Sequence, residues 1–158
     1  IADGAARYGT AEAMNDIAEK AEVVSVVQTR VGYDLGIRFY HSVDDESGYI
    51  STYIPAGTPI PYQAAYQNST TLHEDQRYSG FTVYEANKAH PDSEQVAEDY
   101  TEIMKVSLDH GRGVPKDTRN ESRLCIDKLG VLTIEAREAD HPEKPIKSTV
   151  ELKNLSKS

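Results

Sequence analysis

The chain has 158 residues, enough for one domain and a short appendage. It carries 26 Asp and Glu against 17 Lys and Arg, a net charge of −9, with no cationic cluster of the kind a nucleic-acid surface needs. No apolar run is long enough to span a membrane and no signal peptide is visible, so partners among nucleic acids and membranes are not expected.

The residues are 38% hydrophobic, which with ten Gly falls just under the globular norm and predicts one modest core. Ten Tyr against two Phe and no Trp suit a thin β layer, with ring bodies inside and hydroxyls at the rim. A single cysteine excludes an internal disulfide and fits a reducing, cytoplasmic setting. Cys125 falls within a predicted strand and reads as a packed, inert thiol. The chain begins at Ile1 rather than Met, so it is expected to be a piece of something larger.

Residues 1–22 are rich in Ala, with Met14, Ile17, Glu12, Glu19 and Lys20, and favour helix, although their small apolar side chains would bury little. Val23-Val24-Ser25-Val26-Val27 follows, a β-branched run that reads as an edge strand or an apolar linker, with residues 23–31 taken together as the linker. Leu35, Ile37 and Phe39 then alternate with Asp34, Gly36 and Arg38, which predicts a strand. His41 to Gly48 is a polar loop, and Tyr49 to Ile54 a strand with Ile50, Thr52 and Ile54 on one face. Three prolines between Pro55 and Pro61 forbid regular structure there. Tyr62 to Gln67 reads as a weaker strand and Asn68 to Gln76 as a polar turn. Tyr78 to Glu85 is a strand with Phe81 and Val83 inward. After His90-Pro91, Asp92 or Ser93 is expected to cap a short helix reaching Tyr100. Met104, Val106 and Leu108 restore strand alternation, and His110 to Asn120 is a Gly/Pro loop.

The C-terminal third is the most regular. Leu124 and Ile126, then Leu132, Ile134 and Ala136, alternate with polar residues on either side of an Asp127–Gly130 turn, and Val150 and Leu152 continue the pattern. This is a meander with one dry face, which needs a second layer. The whole reads as an antiparallel β-sandwich of about eight strands.

Chemical motifs are sparse. All five His fall in predicted loops without zinc spacing, Asp44-Asp45-Glu46 lacks the pattern of a calcium loop, and no strand-turn-helix elbow presents a Ser. Neither a metal nor a catalytic site is expected.

The order of elements resembles the heat-shock 70-kilodalton (DnaK-like) chaperones. Ile1 to Ala6 is similar to the last helix of that family's nucleotide-binding domain, and Val23, Val24, Val26 and Val27 stand where it has its apolar interdomain linker. Asp34-Leu35-Gly36-Ile37 resembles the start of its substrate-binding domain. Ile54 to Pro61, Val83-Tyr84-Glu85, Arg112-Gly113-Val114-Pro115 and Ile126 to Leu132 match further family stretches in order. The resemblance implies a peptide-binding β-sandwich over residues 32–158 that captures extended apolar segments, one apolar side chain seated in a central pocket, without the helical lid and without ATPase activity. ATP and Mg²⁺ would belong to the nucleotide-binding domain, with no cofactor in this fragment. The implied partners are unfolded or extended polypeptides, the chain's own nucleotide-binding domain and co-chaperones.

By position, the resemblance makes Ile37 a pocket residue and gives Arg38, Phe39 and Tyr40 to the first loop enclosing the peptide. Phe81 sits on a pocket strand, and Asn68, Ser79 and Asn120 stand where the family has large apolar pocket residues. About six extra residues lengthen the first loop around Val43 to Ser47, and a second insertion lies near His90 to Glu98. Two other readings stand beside peptide capture. One is a structural or adaptor sandwich that has lost peptide binding. The other is carbohydrate binding, which rests only on the sandwich and the Tyr count. The Val23 to Val27 run is expected to pair with its own sandwich or with a neighbour's, the latter giving a concentration-dependent dimer.

Overall fold

A computed structural model describes residues 27–157. The expected N-terminal helix over residues 1–22, together with Val23, Val24 and Val26, lies outside the described residues. Eleven strands and one helical turn follow in chain order. They are β1 (Thr29–Val31), β2 (Leu35–Phe39), β3 (Tyr49–Ile54), β4 (Tyr62–Gln63), β5 (Gln67–Thr70), β6 (Gln76–Ala86), α1 (Val96–Asp99), β7 (Tyr100–Val114), β8 (Arg119–Ile126), β9 (Val131–Glu138), β10 (Ile146–Glu151) and β11 (Leu155–Lys157). No described helix is long and apolar enough to cross a membrane.

One sheet runs β3-β2-β6-β7, a second runs β10-β9-β8 with β4 and β5 both on the far edge of β8, and β1 pairs with β11 in a two-stranded ribbon. All pairings are antiparallel. The inward rows meet in one core: Leu35 and Ile37 from β2, Phe81 and Val83 from β6, Met104 and Leu108 from β7, against Leu124, Ile126, Leu132, Ile134 and Ala136. The β8–β9 turn forms as its residues dictate. Gly130 takes φ 85°, and the Asp127 carboxylate accepts from Leu129 N–H (2.8 Å) and Val131 N–H (3.0 Å).

Several expectations change. In β3 the predicted row of Ile50, Thr52 and Ile54 is broken by a bulge. Leu35 faces Ile54 but Gly36 faces Thr52, so Tyr53 is the extra residue and the alternation flips. Tyr53 and Ile54 enter the main core while Ile50 packs on the opposite face with Tyr84, Ala86, Val96 and Tyr100. Tyr53 also departs from the rim pattern, since its hydroxyl bonds Ser122 Oγ at 2.7 Å inside the sandwich. The weak strand over Tyr62 to Gln67 divides into β4 and β5, and Asn68 lies on β5 opposite Glu121 rather than in a turn. The loop foreseen over His110 to Asn120 shrinks to Pro115–Thr118, because β7 runs on to Val114 and β8 starts at Arg119. Asp92 and Ser93 do not cap the helix. Its N-cap is Gln95, and the segment lays Val96 over the outer face of the first sheet.

Thr29 to Val31, assigned to the linker, are built into the sandwich. They pair with Leu155 to Lys157, and Thr29 and Val31 carbonyls accept from Ile60 N–H (3.1 Å) and Gly57 N–H (2.7 Å).

Gly36 shows why the Leu-Gly-Ile triplet holds a glycine. A Cβ there would press on the Ser51 carbonyl oxygen and lie 2.6 Å from Ile50 Cγ2, at the point where the bulge draws β3 close. Gly36→Ala is expected to destabilise the fold by about 1–3 kcal/mol through overpacking. A urea unfolding midpoint equal to wild type would show that β3 moves aside without cost.

Candidate functional site

Four inward rows run past their apolar residues into polar ones, two positions on. On β6 Ser79 precedes Phe81, on β7 His110 follows Leu108, on β8 Asn120 precedes Ser122 and Leu124, and on β9 Glu138 follows Ala136. Side chains repeat faces every second residue, so all four meet at one end of the sandwich, and all four are buried.

They form one hydrogen-bonded chain. Ser79 Oγ lies 2.8 Å from His110 Nε2, and His110 Nδ1 lies 2.7 Å from Glu138 Oε1. Arg112 holds the other side of Glu138, with NH2 to Oε2 at 2.9 Å. Burial pushes the Glu138 carboxyl up, but the hydrogen bonds from Arg112 and His110 outweigh it and hold the group below the ordinary glutamate value.

The directions follow in order. Gln76 Oε1 accepts from Leu72 N–H (3.0 Å) and His73 N–H (3.2 Å), so its nitrogen is the atom that donates to Tyr78 O (2.8 Å) and Ser79 Oγ (3.2 Å). Ionised Glu138 accepts from His110 Nδ1–H, so Nε2 is the ring atom that faces Ser79. Ser79 Oγ accepts from Gln76 Nε2 and from Asn120 Nδ2 (3.0 Å), which directs its own proton to His110 Nε2. With its nitrogen so fixed, Asn120 has Oδ1 left over, the one buried side-chain polar atom without a partner among the described residues. Such a group costs about 1–3 kcal/mol.

Ser79, His110 and Glu138 thus have the spacing of a nucleophile, base and orienting carboxylate. Both lone pairs of the Ser79 hydroxyl are filled, however, and the residue sits within a regular strand rather than on an exposed elbow. The arrangement is a closed relay.

Above this floor opens a cleft of about 1290 Å³. One wall is the β2–β3 loop, with Tyr40 and Val43 at its mouth; the other combines the β5–β6 and β7–β8 loops. Both walls are pinned. Asp45 accepts from His41 N–H and Gly48 N–H (2.9 Å each), which holds its carboxyl below the usual range, and Arg38 bonds the Ser47 carbonyl and Tyr84 Oη. On the far side Thr71 Oγ1 donates to Pro115 O (2.8 Å) and accepts from Thr118 N–H (2.9 Å), stapling the two loops together.

Seven of the eight residues singled out for peptide contact line this cleft: Arg38, Phe39, Tyr40, Asn68, Ser79, Phe81 and Asn120. Ile37 does not. It is 0% exposed in the main core, because its place on β2, opposite Val83, lies a full pleat deeper than Phe39. His110 was expected in a loop and is instead a strand residue whose side chain is fully buried. Its signal was present, since Met104, Val106, Leu108 and His110 share one parity; the neighbouring Gly111 and Gly113 masked it. Cys125 is half-buried on β8, and burial pushes its thiol up, as suits an unreactive group. Comparison of the sequence with family models and with curated proteins returned no match.

Glu138 gives the floor a pH signature. A carboxyl depressed on folding adds stability that is present above its unfolded value, near 4.5, and lost as pH falls through the folded value. Glu138→Gln is expected to cost about 2 kcal/mol at neutral pH, since it removes a charged partner from Arg112 and His110. The gap to wild type should stay constant above pH 4.5 and narrow below it. Unfolding midpoints across this range measure it, and a gap independent of pH would mean that Glu138 is not ionised in the folded chain.

Proposed function

We propose that this chain is the polypeptide-binding domain of a heat-shock 70-kilodalton-like chaperone, capturing extended segments of unfolded clients in the cleft between the β2–β3 and β5–β6 loops. The supporting observation is convergence: seven residues picked out by position from strands and loops far apart in sequence line one cleft. The shape suits an extended chain, whose backbone would lie along the trough while alternate side chains point down to the floor. In this reading the domain is not itself an enzyme. Its hold on clients would be set by an ATPase domain joined through the Val23 to Val27 linker and by co-chaperones, in the cytoplasm. Val27, the described part of that linker, is 64% exposed and free to make such a connection.

The adaptor reading keeps one observation in its favour. Ser79 and Asn120 give the floor a polar character that a pocket for Leu would not have.

Fluorescence anisotropy with a panel of labelled extended peptides separates the two. Tyr40 and Val43 are exposed at the cleft mouth, so the Tyr40→Ala/Val43→Ala pair should weaken binding about tenfold while leaving the melting temperature near wild type. Absence of binding by every peptide to the wild-type chain would remove peptide capture in favour of the adaptor.

A further inference from the structure

Two features of the cleft say what kind of segment it would take. The first is Asn120 Oδ1. Asn120 is 2% exposed and lines the cleft floor, its nitrogen is committed to Ser79, and its oxygen has no partner among the described residues. Native folds rarely leave such an acceptor unmet, and the exceptions point to a missing partner. Asn120 belongs to the cleft lining, so a donor carried by an occupant of the cleft is the candidate partner. Oδ1 is out of contact with solvent, so the side chains over it must part to admit one. An occupant's backbone would lie at the mouth, which makes the donor a side-chain group.

The second feature is charge. The chain as a whole carries −9, yet Lys105, Lys116 and Arg119 line the cleft and make no salt bridge among the described residues. Arg38 adds a fourth cation, engaged with its own loop, and the acids opposing them in the lining are Asp44 and Asp117. A cationic trough on an acidic protein draws anionic segments and turns away basic ones.

We infer that the cleft selects extended segments that set a hydrogen-bond-donating side chain, Ser, Thr or Asn, against Asn120, with acidic residues on either side, in preference to Leu-rich segments. This specificity rests on the peptide-capture reading above. A Leu side chain over the same floor would leave Oδ1 unmet and cover polar groups with nothing to pair them.

Three labelled peptides of equal length test it on the full chain: a neutral Leu-centred one, a Thr-centred one with Glu flanks, and a Thr-centred one with Lys flanks. The Glu-flanked peptide should bind about tenfold tighter than either of the others, the value of one well-made contact to an otherwise unpaired group. Its advantage over the Lys-flanked peptide should shrink with added salt. Lys105→Glu/Lys116→Glu, on the exposed trough, should abolish the preference for acid, and Asn120→Leu should abolish the preference for Thr over Leu. Equal or tighter binding of the Leu-centred peptide, or of the Lys-flanked one, overturns the inference while peptide capture stands. Failure of all three to bind overturns the capture reading together with the specificity.

Discussion

A buried polar group has to find a partner or weigh against the fold, and one end of this sandwich is arranged by that constraint. Toward the β8–β9 turn the inner faces are apolar and pack by shape alone, with Leu35, Ile54, Leu124, Ile126 and Leu132 in one cluster. Toward the cleft the same rows carry Ser79, His110, Asn120 and Glu138, and each fixes the next. The series is anchored at both ends by groups with no freedom. Gln76 is oriented by two backbone N–H donors, and Glu138 by the Arg112 guanidinium. Between these anchors every hydrogen has one place to go, and the imbalance that remains falls on Asn120.

The cleft walls depend on the same floor. Gln76 stands at the start of β6, and by accepting from Leu72 and His73 it shapes the β5–β6 loop while donating to the floor. Arg38 does the matching service on the other side, since β2 places it on the outer face, where it reaches both Tyr84 and the Ser47 carbonyl of the β2–β3 loop. Loop position is thus set by strand residues together with the loops' own Asp45 and Thr71. The β2–β3 loop is closed on itself by Asp45, which accepts from His41 and Gly48 N–H.

Much of this was legible in the residues, and the failures have particular causes. Period-two alternation located β2, β6, β8, β9 and β10 because each carries a row of apolar residues at every second position facing the main core, Phe81 and Val83 on β6 among them. It failed in β3, where a bulge at Tyr53 reverses the faces, since a bulge is set by the partner strand and not by the strand that carries it. It failed again at His110 to Val114, where two glycines suggested a loop; the pairing with β6 does break there, between Asp109 opposite Tyr78 and Val114 opposite Gln76, yet the chain stays extended as part of β7. The short strands β4, β5 and β11 have too few residues to show a period. Of the candidate site, the lining residues came from a resemblance to the chaperone family, whereas the relay beneath them joins residues as much as 59 apart in sequence, from Ser79 to Glu138, and no local pattern links them.

Stability alone does not account for the polar floor. Replacing a buried polar network by apolar residues of like volume is commonly neutral or stabilising, so a sandwich kept only for its fold would have no need of Ser79, His110, Asn120 and Glu138. Nor would it need open walls. Tyr40 and Val43 remain exposed beside a trough that the loops, left to hydrophobic contact, would tend to close over. Asp45, Arg38 and Thr71 instead fix each wall in place through directional bonds to backbone groups. A floor that tolerates an unmet acceptor and walls held away from collapse are both unfavourable for the isolated domain. Each becomes intelligible if an extended chain seated between them supplies the missing partner.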